Sequence, residues 1–286
     1  MTTRRALPAF VLASALLVAS ASSAAAKVKT ETATSGPLTA EMSYNQQGFS
    51  GFNNLRIKIV RNGSTLLDEK APPPGGQTGP PCNSCSAFPA GGGETTSVHA
   101  LRLDADAEPE AIFDLYTGGA HCCFYSLIYR YDAASNSYLP LEHDWFDAFY
   151  RLIDPDGDGI PVFLSRDDRF AFKYSAYAFS RYPPQVWRYD AGQMLDVTSQ
   201  YPTIVRRNAK SQLQSYNRGK GHRDVRAALA AFVADKCLLG SCGDGFDLVR
   251  AAKQKGFLAD RFTEFGPSNG RFVKNLRRFL GRLGYR

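Results

Sequence analysis

The residues that could do chemistry begin with two acidic stretches. One runs Leu103-Asp104-Ala-Asp106-Ala-Glu108-Pro109-Glu110 and the other Ile153-Asp154-Pro-Asp156-Gly-Asp158-Gly159-Ile160-Pro161-Val162. Carboxylates at alternate positions on a tight glycine-containing loop offer several hard oxygens to one point. With backbone carbonyls and water they can reach the roughly six to eight ligands that calcium takes. A second group, Cys82-Asn-Ser-Cys85 with His121-Cys122-Cys123, has the residue types of a zinc site or a thiol redox site. For hydrolysis, His99, His121 and His143 could be combined with Asp144, Asp147 or a serine, but no serine sits in a G-x-S-x-G elbow. Glu142, Asp144 and Asp147 beside Trp145 are the carboxylates from which a glycoside-cleaving pair could be drawn.

Those residues need elements to hold them. Stretches 38–44 and 55–60 alternate apolar and polar side chains, and Asn62-Gly63 is a two-residue hairpin signal leading into Thr65-Leu66-Leu67. This predicts antiparallel strands with one buried face. Pro and Gly dominate 71–93 around Cys82 and Cys85, an irregular connection that needs a disulfide. Each acidic stretch is followed by a short apolar strand, then by a strand ending Tyr129-Arg130-Tyr131-Asp132 or Trp187-Arg188-Tyr189-Asp190, and then by a final strand. The loops align at an offset of 52 (Asp106 to Asp158) and the turns at 58 (Tyr131 to Tyr189), so the two stretches read as copies of one β unit. Alternating aromatics between 163 and 189, among them Phe170, Phe172, Tyr174, Tyr177 and Phe179, suit a half-buried strand or a sugar-stacking face. Beyond Ile204 the periodicity becomes helical, over 223–239 with Gly240 as a stop, 246–255, and 269–283.

The second acidic loop resembles the D-x-D-G-D-G-x-x-[DE] calcium loop of FG-GAP/VCBS-type repeats, found in propellers and in many exported bacterial proteins. The likeness covers 98–200, and Asp114-Leu-Tyr-Thr-Gly-Gly-Ala-His-Cys-Cys123 is similar to a feature of exported bacterial relatives. The resemblance implies blade-like β repeats with calcium as cofactor. It places Asp154, Asp156, Asp158 and the carbonyl of Ile160 as ligands in the second loop, where Val162 stands at the final carboxylate position. In the first loop the opening position falls on Arg102, leaving Asp104, Asp106 and Glu110, and the Arg102 guanidinium could replace the metal by direct salt bridges.

The compartment bears on all of this. Arg4 and Arg5 precede an apolar run over 6–18 that closes on Ala24-Ala25-Ala26, the pattern of a cleaved secretory signal peptide. The run is too short to span a bilayer, so no transmembrane segment is expected after cleavage. Export favours disulfides over metal thiolates for Cys82, Cys85, Cys122, Cys123, Cys237 and Cys242. Cys237 and Cys242 are the natural local pair. Adjacent Cys122 and Cys123 each reach toward Cys82 or Cys85, because neighbours resist the geometry of a bond to each other.

The 286-residue chain carries a formal charge of +7. From Arg206 on it has 18 Lys and Arg against 6 Asp and Glu, net +12, which leaves the stretch between leader and Arg206 at −7. An acidic body with a basic helical end fits an anionic envelope or cell-wall polymer as partner, and export removes nucleic acid. The expectation is a mainly β protein with a C-terminal helical module, α+β overall. It divides into a signal peptide (1–26), an N-terminal β region (27–97), two blade-like repeats (98–204) and a basic helical module (205–286). The function expected is that of a secreted, non-enzymatic binding or structural protein of the envelope or extracellular space. The alternative is a secreted hydrolase of glycans or cell-wall polymers.

Overall fold

The computed structural model describes residues 27–47, 51–75, 88–89, 96–262 and 265–286; the leader, Cys82 and Cys85 lie outside the described residues. Four strands, β1 (Lys27–Ser35), β2 (Leu38–Gln47), β3 (Gly51–Arg61) and β4 (Ser64–Lys70), follow one another across the first antiparallel sheet. Asn62 and Gly63 both take positive φ, at 48° and 81°, the backbone that a tight hairpin needs to follow the strand twist. Alternation then puts Leu38, Ala40, Met42, Leu55, Ile57 and Ile59 on one buried face. Strand β1 has no apolar stripe to announce it. It is an exposed edge of Thr, Lys and Glu that pairs residue for residue with β2.

The buried face meets a second sheet, built from β5 (Phe88–Pro89), β6 (Val98–Leu101), β7 (Glu110–Gly119), β8 (Cys122–Asp132) and β9 (Ser137–Phe146). Both β5 and β6 pair with β7, and β8 and β9 continue the meander. Strand β7 is covered on both sides, which is why it reads as a nearly continuous apolar run. Ala111, Phe113 and Leu115 face the first sheet and Ile112 faces a third. That third sheet consists of β10 (Arg151–Ile153), β11 (Val162–Arg166), β12 (Pro184–Asp190) and β13 (Gln193–Asp196) in chain order. Phe163 and Tyr189 pack with Ile112, Ile128 and Trp145, each worth about 1.5–3 kcal/mol of burial.

Behind the third sheet lie four helices, α1 (Pro202–Gly219), α2 (Arg226–Leu238), α3 (Cys242–Gln254) and α4 (Asn269–Arg282). Val162, Val186 and Val197 pack on Tyr201 and Ile204 at the start of α1. A separate helical core gathers Leu229, Val233, Val249, Phe272 and Leu276 around Phe170 and Tyr174. The antiparallel β body and the C-terminal helices are as the sequence predicts.

The aromatic stretch departs from expectation. Residues 167–183 form no strand. They make two single 3-10 turns, Asp168–Phe170 and Tyr177–Phe179, between β11 and β12. Local polar bonding outweighs the aromatic alternation here, because the Asp167 side chain accepts from the Arg169 N–H and pairs with its guanidinium at 2.7 Å. Phe170 and Tyr174 point into the helical core instead of lining a sheet.

Candidate functional site

The first acidic loop joins β6 to β7, and its side chains fold inward. Asp104 Oδ1 accepts the Asp106 N–H at 3.0 Å, and Asp106 Oδ1 accepts the Glu108 N–H at 2.8 Å, two successive aspartate turns. Asp104 Oδ2 accepts the N–H of Ala191 at 3.1 Å, from the turn between β12 and β13 in the neighbouring sheet. Glu110 opens β7 fully buried. Its Oε2 accepts the Leu103 N–H at 2.9 Å, while Oε1 has no hydrogen-bond partner. One oxygen from each of Asp104, Asp106 and Glu110 falls within 4.8 Å of the others.

Burial, then the charges of Asp104 and Asp106, push the Glu110 carboxyl up to about 8 against the opposing pull of the Leu103 N–H. Tyr189 of β12 stands over the same loop. It is buried, and burial with the nearby Glu110 and Asp104 charges raises its pKa above the usual phenol range. An orphaned buried carboxylate oxygen beside two further carboxylates is a donor set that suits a hard divalent cation such as calcium. Arg130 lies 3.7 Å from Asp106, and Arg61 of β3 clamps Glu108 in the same loop through both guanidinium nitrogens, at 2.6 and 2.8 Å.

Arg102 does not take the metal's place as the sequence suggested. Its side chain is exposed and reaches toward the second loop, with Nη2 3.8 Å from the Cβ position of Gly159, and it pairs with none of the three carboxylates among the described residues. The second loop is differently used. Asp154 accepts the N–H groups of Gly157 at 2.8 Å and Gly159 at 3.0 Å, and Asp158 accepts that of Ile160 at 2.9 Å. Asp156 accepts the Tyr201 hydroxyl at 2.8 Å, which ties the loop to α1. Residues 154–159 are exposed, and their carboxylates satisfy the turn's own amides at Gly157 and Gly159, both of positive φ. Among the described residues the converging acidic group is the one in the first loop.

Cys237 and Cys242 form a disulfide between the end of α2 and the start of α3, and Cys123 is also disulfide-bonded. A bonded Cys123 offers no thiolate to zinc. His121 is half exposed, its Nδ1 3.2 Å from Asp147 Oδ2 and its ring against Tyr177 and Phe172. Phe146 and Phe172 take φ of 57° and 55°, rare for bulky side chains, and both are exposed, Phe172 against this imidazole.

The other hydrolytic candidates are assembled for structure. His99 Nε2 lies 3.2 Å from Asp114 Oδ2, which also receives the Tyr150 hydroxyl at 2.8 Å. Ser126 donates to Asp114 Oδ1 at 2.5 Å and accepts from the Trp145 indole at 2.8 Å. The serine therefore bonds the carboxylate and not the imidazole, the reverse of what a nucleophile and its base require. Both oxygens of Glu142 hold the Gly75 N–H, at 2.9 and 2.8 Å. The strand pleat puts Glu142 and Asp144 on the face opposite Trp145, which is buried against Tyr150 and Phe163. His143 sits between the Trp145 and Trp187 rings, where burial pushes it down to about 4.

The partners that Ala191 and Tyr189 supply to the first loop could not be assigned from either repeat alone. The one signal in the sequence was the Arg-Tyr-Asp turn recurring after each loop.

No protein-family model and no solved structure matches the chain. Over 142 residues, 48% of this chain and 42% of the relative, it is 30% identical to a protein of Synechocystis sp. named as a probable thylakoid lumen protein. Over 158 residues, 53% of this chain and 24% of the relative, it is 31% identical to an uncharacterized protein of Sinorhizobium fredii. The chain thus spans less than half the length of the curated relatives it matches.

Proposed function

We propose that this chain is an exported, non-enzymatic binding or scaffolding module of the envelope or extracellular space. Its second and third sheets are two FG-GAP/VCBS-like blades stapled at the first acidic loop by calcium. The observation that carries this reading is Glu110, a fully buried carboxylate with one oxygen unsatisfied, converging with Asp104 and Asp106. A bound calcium would offset two of the trio's three negative charges and give the unsatisfied Glu110 oxygen a partner. Asp104 meanwhile holds the Ala191 amide of the next sheet, so ordering the loop also fixes how the two blades meet.

Blade-like repetition is supported by the two sheets' shared order: strand, acidic loop, strand, a strand ending Arg-Tyr-Asp, a turn and a last strand. Export is supported by the leader pattern, by the disulfides and by the name of the Synechocystis relative. No helix among the described residues is long and apolar enough to cross a membrane. In this reading the basic helical end faces an anionic envelope or cell-wall polymer. Thermal melting of the purified mature chain tests the staple. Calcium should raise the midpoint of the wild type and of Asp156→Asn but not of Asp104→Asn; an equal response from all three would refute the assignment.

A further inference from the structure

Four cationic side chains converge on one concavity at the helical end. Lys173, from the loop after β11, and Arg271, Lys274 and Arg278 of α4 line a cavity of about 640 Å³ together with Ser268 and Asn275, and among the described residues no Asp or Glu contributes to its wall. Arg271, Lys274 and Arg278 share a helix face by their three- and four-residue spacing. The opposite stripe of Phe272, Leu276, Phe279 and Leu280 is buried, so the orientation of α4 is fixed by its core.

The loop is held as well. The Tyr174 hydroxyl donates to Asn275 Oδ1 at 3.0 Å, and the Lys173 ammonium lies 4.9 Å from the centroid of the Phe279 ring. None of the four cations forms an ion pair among the described residues, and Arg271 donates only to Ser268 Oγ, at 3.3 Å. Like charges spaced this way along a helix repel one another, and among the described residues no carboxylate pairs with them.

We propose that this cavity binds a phosphate-bearing anion, with Arg271 and Arg278 as bidentate donors and Lys173 and Lys274 as point charges. Four converging positive charges exceed what a single carboxylate neutralises, whereas a phosphorylated group supplies two or more negative charges with several acceptor oxygens. The site is independent of the calcium loop, and the assay runs in EDTA so that the two can fail separately.

The probe is inorganic pyrophosphate, titrated calorimetrically into the mature protein, into Lys274→Glu with Arg278→Glu, and into a charge-matched control, Arg206→Glu with Lys210→Glu. All four of these positions are exposed, so folding should survive in each variant. The α4 variant should bind roughly tenfold or more weakly while the control stays near wild type. Equal losses in both variants would mean diffuse attraction and would overturn the site, as would no binding by wild type. Vesicles containing phosphatidic acid form the second arm. Retention of the wild type on them, lost in the α4 variant and competed by pyrophosphate, would identify a lipid phosphate as the source. Retention without any pyrophosphate binding would overturn the cavity in favour of a membrane-facing surface.

Discussion

Replacing Glu110 by Gln should stabilise the calcium-free protein and abolish its response to calcium, two effects of opposite sign from one isosteric change. The folded carboxyl is raised from 4.5 to about 8. Between those values the native state holds a proton that the unfolded chain has released, so stability falls as pH rises toward 8. At about 1.4 kcal/mol per pKa unit the ceiling is roughly 5 kcal/mol, and relaxation of the loop around the charge reduces this to about 2 kcal/mol.

The glutamine amide removes that charge, still accepts the Leu103 N–H through its oxygen, and turns its NH2 toward the Asp104 and Asp106 carboxylates. In EDTA, differential scanning calorimetry should find the two proteins alike near pH 5 and the variant higher by roughly 4–8 °C above pH 8. With calcium at pH 8 the order should reverse, because only the wild type gains. Parallel pH profiles for wild type and variant in EDTA, or a variant that still melts higher with calcium, would refute the argument.

Other expectations follow from the helical end. Asp235 is fully buried on α2, bonded by Asn208 at 2.9 Å, and burial pushes it up to about 8. Its contribution is therefore present at acid pH and lost as pH rises through that value, and Asp235→Asn should flatten the alkaline side of the stability profile in urea unfolding. The guanidinium of Arg226 is wholly buried and donates to the Leu258 carbonyl at 2.6 Å and to Asp260 at 3.0 Å. Arg226→Met should cost about 3 kcal/mol in the urea midpoint by leaving those acceptors unmatched.

The parts of the fold set by local chemistry were legible in the sequence. Leu38, Ala40 and Met42 alternate, Asn62-Gly63 marks its turn, Gly240 closes α2, and Cys237 lies close enough to Cys242 to bond it. What could not be read depends on contacts between distant segments. Strand β1 is polar and takes its conformation from pairing with β2. The aromatics of 167–183 alternate like a strand but leave the sheet, because Asp167 bonds locally and Phe170 and Tyr174 have a helical core to enter.

The same limit applies to the acidic loops. Motif spacing gives the second loop the better ligand set, and there the aspartates also accept hydrogen bonds from Gly157, Gly159, Ile160 and Tyr201. The first loop, weaker by spacing, has the buried Glu110 and neighbours from another sheet. Spacing along the chain carries no information about burial, and burial is what leaves an oxygen in need of a partner.

Calorimetric titration of calcium into the mature protein, with Glu110→Gln and Asp156→Asn in parallel, tests the staple most directly. One calcium per chain should bind to the wild type and to Asp156→Asn, and none to Glu110→Gln. Undiminished binding by Glu110→Gln, or loss of binding only in Asp156→Asn, would contradict the account.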